Sequence, residues 1–335
     1  MTGHLRILLI VGSFGIVFGH MMLSLCSTYW QVLLAQGFCV GLGAGMLFAP
    51  ALAVLPTYFS TRLGLAVGLA ASGSSFGGII YPIVFYRLIN HNNIGFPWSV
   101  RVLGFIALVT SLIPIAFMKP RLQPTRVRAA IDWAAFRDAP FMIFVAGTLI
   151  GFIGLYVFLF YQSYFAQATG LTDASLSFYL VPILNAASMF GRTLPNWLSD
   201  RTGAFNVMIP GAFICALLLF CMQAVKSTAG IVVMVLLFGF FSGVLVALPP
   251  VLFVQLTQDK SKIGTRIGTG FALIAMSTFA GGPGAGAVLG DGDGRSGGLR
   301  WSAMWSFGGA VVVLSGLILL ALRCWKYGFG LRVKA

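Results

Sequence analysis

Long apolar stretches separated by short polar segments run through the whole chain. Each is close to the length of about 20 residues that a helix needs to cross the hydrocarbon core of a bilayer. Ten such stretches lie at Leu5–Cys26, Trp30–Val54, Gly64–Ile89, Val100–Met118, Phe141–Tyr164, Leu176–Ser199, Phe205–Val225, Ala229–Leu256, Gly268–Leu289 and Trp301–Trp325. Because lipid cannot satisfy backbone polar groups, and because the alternation typical of a membrane β-barrel is lacking, the pattern predicts an all-α integral membrane protein with about ten transmembrane helices.

The composition excludes a water-soluble protein. Only 8% of the 335 residues are charged and 59% are hydrophobic, whereas ordinary soluble domains have about 25% and about 45–50%. The net charge of +14 would indicate nucleic acid as a partner if the basic residues clustered on one face. They lie instead in the gaps between apolar stretches. We therefore expect the lipid bilayer as partner, and no nucleic acid.

The basic residues also predict the orientation in the membrane. With ten helices and both termini on one side, that side carries 16 of the 21 Lys and Arg residues. The positive-inside rule then places both termini and the long middle segment in the cytosol. We expect the plasma membrane rather than an organelle.

The long middle segment divides the chain into a predicted four-helix bundle, a basic loop, a six-helix bundle and a tail. These domains span 1–118, 119–139, 140–325 and 326–335; the loop and the tail are predicted to be cytosolic. The halves align at an offset of about 200 residues, which sets Thr2-Gly3 against Thr202-Gly203 and Arg62-Leu63-Gly64 against Arg266-Ile267-Gly268. Such repeats indicate two related bundles.

Two related bundles on either side of a cytosolic loop resemble the major facilitator superfamily, whose members have two repeats of six helices. The resemblance makes the first four helices equivalent to helices 3–6 of that fold, so the chain is expected to lack the first two. The segment 196–204 also resembles the superfamily pattern G-x-L-A-D-R-x-G-R, keeping Leu198, Asp200, Arg201 and Gly203. By this resemblance, Asp200 and Arg201 are expected to serve a cytosolic gate.

A narrower resemblance lies in the segment 58–77, which is similar to the Y-F-x-K-R-R-x-L-A-x-G signature of the monocarboxylate transporters. The segments 255–257, 136–138 and 261–266 are similar to the fungal branch of that family. Gly64 with Gly68, and Gly73 with Gly77, follow the small-x-x-x-small spacing that lets membrane helices approach closely. Closer to the C-terminus, the glycine-rich segment 281–290 predicts a bent or unwound stretch lining the cavity.

Polar residues on the sixth span form the candidate site. Asn185, Ser188, Arg192 and Asn196 recur at intervals of three, four and four residues, which places them on one helical face. Such a polar face should point into the bundle. Arg192 precedes Asp200 by eight residues, or roughly 12 Å along a helix. Its side chain could therefore also reach the membrane boundary or serve only the gate.

The resemblance places Arg192 where the monocarboxylate family carries its substrate-binding arginine, with Ser188 and Asn185 as neighbouring contacts. A guanidinium can hold a carboxylate with two charge-assisted hydrogen bonds. The family has a proton-accepting aspartate where this chain has Ser188. The spans also lack carboxylates for a proton relay, so proton coupling is not expected.

These observations predict a secondary transporter that moves a small organic anion, such as a carboxylate, or a fungal secondary metabolite by alternating access. The alternatives are a truncated membrane protein without transport activity and an incomplete gene model of a twelve-helix transporter. An enzyme is not expected, because no His, Cys or acid constellation stands at a membrane boundary. No cofactor and no metal are predicted.

Overall fold

The computed structural model describes residues 5–92, 94–119, 132–290, 298–328 and 330. Throughout these ranges, regular secondary structure is helical and no strand is formed. The α-helices are α1 (Leu5–Leu23), α2 (Tyr29–Val32), α3 (Gly41–Tyr58), α4 (Leu63–Asn90), α5 (Phe96–Phe117), α6 (Ala139–Ala168), α7 (Ala174–Thr202), α8 (Ala204–Cys221), α9 (Thr228–Ala247), α10 (Pro249–Leu256), α11 (Ile263–Leu289) and α12 (Trp301–Tyr327). The predicted all-α fold is confirmed.

In this part of the chain, ten helical segments are long and apolar enough to cross a membrane. Two of them each join two α-helices. The span Tyr29–Tyr58 joins α2 and α3 through the π-helical turns of Leu33–Val40. The span Thr228–Leu256 joins α9 and α10. Helix α10 begins with Pro249 and Pro250. Because proline has no backbone N–H, the helix is interrupted there and continues in a new segment.

The described chain forms two compact units. The first comprises Met1–Ser60 and Ile80–Ala130, and the second comprises Thr61–Ile79 and Ile131–Ala335. Helix α4 therefore contributes its beginning to the second unit and its end to the first. The domain boundaries drawn from the sequence remain a prediction. Most of the predicted basic loop, 120–131, and most of the predicted tail, including 331–335, lie outside the described residues.

In the first unit, α1 packs against α3 and α5. Its buried apolar residues form two small clusters. One cluster contains Leu5, Leu9 and Val54, and the other contains Leu23, Ala35 and Val100. At the end of α3, the Tyr58 hydroxyl donates a hydrogen bond to the carbonyl oxygen of Lys119 over 2.7 Å. This bond ties the end of α3 to the residues that follow α5.

In the second unit, buried aromatic side chains hold the helices together. The rings of Phe158 and Phe238 stack with their centroids 3.8 Å apart, and Phe144 meets Phe253 edge to face at 5.1 Å. Trp305 is fully buried beside Phe158. Aromatic pairs of this kind stabilise a packed core beyond the area they bury. They fix α6, α9 and α12 around the second unit's interior.

Helix α11 corrects one expectation. The sequence predicts that the segment 281–290 is bent or unwound. Helix α11 continues through Pro283 to Leu289, so the prediction of an unwound stretch is wrong, whereas a bend stays a prediction. Its glycines allow close packing on α6 instead: a Cβ atom at Gly281 would lie 2.8 Å from the Ile153 carbonyl oxygen. The Tyr161 hydroxyl also donates to the Gly282 carbonyl over 3.0 Å. Helix α11 therefore packs closely against α6 and remains helical along this contact.

Candidate substrate site and gate

The candidate site is built where the beginning of α4 lies directly against α7 within the second unit. A Cβ atom at Gly64 would lie 2.5 Å from the Asn196 carbonyl oxygen, and one at Gly68 would collide with the Arg192 carbonyl oxygen. Absence of a side chain at both positions lets the two backbones touch. The packing prediction is confirmed for this pair. It is wrong for Gly73 and Gly77, because no described atom outside the neighbouring backbone of α4 lies within 4 Å of a Cβ atom there.

Arg192 spans this helix contact with its guanidinium group. Its Nε donates to Ser188 Oγ over 3.2 Å, and its Nη1 donates to the Ala71 carbonyl oxygen over 2.9 Å and to the Ser74 hydroxyl. Ser188 is buried and Arg192 is half-buried. None of these three acceptors carries a negative charge. The positive charge of Arg192 is therefore held by neutral oxygens of α7 and α4.

The same guanidinium has hydrogen-bonding capacity left. An arginine has five N–H donors, and the contacts with Ser188, Ala71 and Ser74 involve Nε and Nη1. Among the described residues, Nη2 has no acceptor. Unused donors on a partly buried cation are suited to an anionic ligand, since charge-assisted hydrogen bonds are the stronger ones.

Asn185 and Asn196 lie on the same side of α7. The Asn185 side chain donates to the Val181 carbonyl oxygen over 3.0 Å, and a Cβ atom at Gly78 of α4 would lie 2.5 Å from its Oδ1. Asn196 is fully buried, and its Oδ1 and Nδ2 have no hydrogen-bond partner among the described residues. The structure thus brings Asn185, Ser188, Arg192 and Asn196 together along the face of α7 that meets α4.

Asp200 joins the end of α7 to the first turn of α4. Its Oδ1 accepts from the Gly64 N–H over 2.7 Å, and its Oδ2 accepts from the Leu65 N–H over 2.9 Å. The N-terminus of a helix favours a carboxylate because its backbone N–H groups are unpaired and its dipole is positive there. The carboxylate therefore connects two helices that are far apart in sequence.

Arg201, the other predicted gate residue, has different surroundings. Its guanidinium carbon lies 4.2 Å from the centre of the Trp197 ring, a cation–π arrangement. Both residues line a groove of about 880 Å³ among α7, α8 and α9, whose other walls include Phe240 and Phe241. Asp200 and Arg201 are thus adjacent in sequence but contact different helices.

A second charged cluster lies where α6 and α11 begin. Asp132 and Asp138 precede the span Ala139–Ala168, and Lys262 and Arg266 stand in the first turns of the span Lys260–Leu289. Arg266 donates from Nε to Asp132 over 3.2 Å and from Nη1 to Asp138 over 2.6 Å, while Lys262 reaches Asp132 over 3.0 Å. Burial alone would raise the pKa of Asp132. The hydrogen bonds and positive charges of Lys262 and Arg266 outweigh this effect and hold that pKa below its usual value.

Sequence reasoning did not identify this second cluster as ionic. A signal was present, because the segments around Asp132 and Arg266 fall on the same side of the membrane when the spans are counted. Elsewhere in the described residues, no group of three or more His, Cys, Asp or Glu side chains is placed to bind a metal ion.

Ten described helical segments that could span a membrane, with a polar face on one of them, indicate a multi-pass membrane protein. The family model of the Major Facilitator Superfamily matches residues 2–287. The chain therefore belongs to the Major Facilitator Superfamily.

Curated relatives are fungal transporters rather than enzymes. The chain is 56% identical to the MFS-type transporter dbaD of Emericella nidulans, over 95% of this chain and 70% of that protein. It is 34% identical to the Agnestins efflux protein AgnL12 of Paecilomyces divaricatus, over 98% of this chain and 74% of the relative. With the Aspyridones efflux protein apdF of Emericella nidulans it shares 34% identity, over 82% of this chain and 56% of the relative.

Solved structures agree on the fold. The transporter FucP in its outward conformation superposes with a TM-score of 0.71 at 16% identity, covering 95% of this chain and 83% of that chain. The human organic anion transporter MFSD10 gives a TM-score of 0.71 at 13% identity, covering 94% of this chain and 77% of that chain. At these identities the likeness concerns the fold alone.

Proposed function

We propose that this chain is a secondary transporter that moves a small organic anion, such as a carboxylate or an acidic fungal secondary metabolite, by alternating access. The observation that carries the proposal is the guanidinium of Arg192. It is held by neutral oxygens at the α4–α7 contact and keeps its Nη2 donors unused among the described residues. A carboxylate would supply both the missing acceptors and the missing negative charge.

Ser188 and Asn185 complete the proposed substrate site. Ser188 accepts from Arg192 and so orients the guanidinium, and Asn185 places an amide one helical turn further along the same face. The names of two relatives, which describe efflux proteins for agnestins and aspyridones, support export of a secondary metabolite. The excess of Lys and Arg residues in the segments on the side of the termini supports cytosolic termini. We propose the plasma membrane as the site of export.

Asp200 carries the proposed gate. Its carboxylate holds the first turn of α4 through the N–H groups of Gly64 and Leu65. Alternating access requires contacts that form in one state and separate in the other. A carboxylate at a helix N-terminus contributes up to about 2 kcal/mol in partly buried geometries such as this one, which is small enough to be broken in each cycle. Arg201 belongs to the same gate by its position beside Asp200.

Transport by the purified protein in lipid vesicles tests this proposal. Uptake of a panel of carboxylates, from short aliphatic to aromatic acids, is compared for wild type, Arg192→Lys and the control Arg137→Lys. Arg137 is exposed and lies outside the spans. Lysine cannot reproduce the planar fork. Loss of one charge-assisted hydrogen bond, worth about 1.5–3 kcal/mol, predicts at least about tenfold slower transport.

Arg137→Lys should transport like the wild type. Unchanged transport of every acid by both Arg192→Lys and Arg192→Ala would contradict the substrate role of Arg192. No transport of any panel member by a correctly folded wild type would contradict the transport proposal and favour a membrane protein without transport activity.

A further inference from the structure

The groove among α7, α8 and α9 is apolar along its length and charged at one end. Its walls include Leu194 and Leu198 of α7, Ile214 of α8 and Phe240 of α9. Arg201 is the one charged side chain among the residues that line it. Several lining side chains are exposed, including Leu194 at 56% and Trp197 at 42%. On a membrane-spanning helix such surfaces are open to lipid.

The charged end of the groove coincides with the end of the membrane span. Helix α7 ends at Thr202 and α8 begins at Ala204, so Arg201 lies in the last turn of its span, and we place it at the level of the head groups. Trp197 lies beneath its guanidinium at 4.2 Å. Tryptophan is enriched at this depth because its ring is apolar and its N–H is polar. The pair therefore marks the depth of a lipid phosphate.

Thr202 and Asn206 are polar residues that line the groove beside Arg201, and neither carries a charge. The Thr202 hydroxyl donates to the Leu198 carbonyl oxygen over 3.0 Å, and the Asn206 amide donates to the Thr202 carbonyl oxygen over 2.8 Å. The Asn206 Oδ1 also accepts from the Nε of Arg323 over 3.2 Å, but Arg323 is buried and does not line the groove. Arg201, by contrast, offers several N–H donors in a plane that matches the oxygens of a phosphate.

The length of the groove is close to the thickness of one leaflet. On α8 the lining residues run from Asn206 to Ile214, which is eight residues or about 12 Å along the helix axis. The hydrocarbon core is about 30 Å thick, so one leaflet occupies about 15 Å. A molecule with one anionic head and a long apolar tail would therefore fill the groove from its charged end to the middle of the membrane.

We propose that this groove binds one anionic glycerophospholipid, with its phosphate at Arg201 and an acyl chain against Leu198, Ile214 and Phe240. With the orientation proposed above, this end faces the cytosolic leaflet, where anionic lipids are enriched. The site is separate from the proposed substrate site, because it opens beside α8 and α9 whereas Arg192 turns towards α4.

Fluorescence quenching by brominated lipids tests the proposal. The protein is placed in phosphatidylcholine vesicles containing a small fraction of either brominated phosphatidylserine or brominated phosphatidylcholine. The contribution of Trp197 is the difference between the wild type and Trp197→Phe. One basic side chain contributes about 1 kcal/mol to attraction of an anionic membrane surface. We therefore expect brominated phosphatidylserine to be enriched about fivefold near Trp197 relative to brominated phosphatidylcholine.

The matched variants are Arg201→Gln and Lys260→Gln. Both remove one exposed positive charge, and both positions fall at the same membrane boundary when the spans are counted, but Lys260 does not line the groove. Arg201→Gln should abolish the preference for phosphatidylserine, and Lys260→Gln should keep it. Equal quenching by both lipids in the wild type would overturn the proposal. So would an unchanged preference in Arg201→Gln, or an equal loss in both variants.

Discussion

Two arginines of the second unit, Arg192 and Arg266, show opposite ways of accommodating a guanidinium group away from water. Arg266 is 9% exposed and bonds to two carboxylates, Asp132 and Asp138. Arg192 is half-buried and bonds to two hydroxyls and a carbonyl oxygen. The first cation is neutralised by the protein itself. The second has polar neighbours but no opposite charge among these contacts.

This difference separates a structural cation from a candidate binding cation. A buried ion pair becomes strongly unfavourable when one partner is removed, because the other charge remains without compensation. A cation held by neutral groups has no such partner to lose. Its charge remains available to a ligand. The comparison therefore predicts that the two arginines respond differently to the same substitution.

The largest effect on stability is expected at Arg266. Buried Asp132 pairs with Lys262 and Arg266, and Asp138 pairs with Arg266. Arg266→Gln therefore removes a cation from both carboxylates. Removing one partner of a buried pair costs about 3–5 kcal/mol, so we expect a clear fall in the thermal unfolding midpoint in detergent. The control is Lys262→Gln, whose side chain is 44% exposed, and surface pairs contribute about 0–1 kcal/mol. Equal midpoints for the two variants would contradict the structural role of Arg266.

A smaller effect is expected where α4 approaches Arg192. Gly68→Ala places a methyl group against the Arg192 carbonyl oxygen. Overpacking of this kind costs about 1–3 kcal/mol, and moving the helices apart should also weaken substrate binding. Gly73→Ala is the matched control, because the described atoms leave open space there and alanine favours a helix by up to about 1 kcal/mol. If Gly68→Ala unfolds no earlier than Gly73→Ala, the helices do not depend on this contact.

Arg192 itself should contribute little to stability. Arg192→Gln loses hydrogen bonds to neutral acceptors but also removes a partly desolvated charge, and these effects oppose each other. We expect the free energy of unfolding to change by less than about 1 kcal/mol, while transport of the anion panel falls. Thermal unfolding and vesicle transport measured on the same preparation check this. A large loss of stability would place Arg192 with Arg266 as a structural residue.

The smallest effect concerns pH and the Asp132 cluster. The pKa of Asp132 is lowered in the folded protein, because the bonds from Lys262 and Arg266 outweigh the effect of burial. Its contribution to stability is therefore present above the ordinary aspartate pKa of about 3.9 and is lost as the pH falls through the lowered value. Part of the acid destabilisation of the wild type should be missing in Asp132→Asn. If the stability of the two proteins falls identically as the pH is lowered, protonation of Asp132 is not linked to unfolding.

Hydrophobic length was sufficient to predict the all-α membrane-spanning architecture. The span predicted at Leu176–Ser199 is α7, Ala174–Thr202, and the one predicted at Trp301–Trp325 is α12, Trp301–Tyr327. A bilayer sets a minimum apolar length, so ten spans can be recognised without knowing their neighbours. The π-helical turns of Leu33–Val40 could not be recognised in this way. They change the hydrogen-bonding pattern of the backbone but leave the apolar length unchanged.

The site could be predicted on one helix but not across two. Helical periodicity placed Asn185, Ser188 and Arg192 on one face of α7, and the structure agrees. It could not indicate that Ala71 and Ser74 would accept from Arg192, because those residues lie more than a hundred positions away and their own helix is apolar. The same limitation hid the pairing of Arg266 with Asp132. Pairing between distant segments depends on helix packing, which a single sequence does not encode locally.

The carboxylate of Asp200 binds main-chain atoms of α4, and this affects which substitutions the protein can accept. The N–H of residue 65 is supplied by every amino acid except proline, so its side chain can vary freely without loss of the bond. Gly64 is different, because a Cβ atom there would lie 2.8 Å from Asp200 Oδ1. Directed evolution towards new substrates could therefore diversify position 65 widely while position 64 stays fixed. Changes at position 65 would then accumulate without breaking the contact between the two helices.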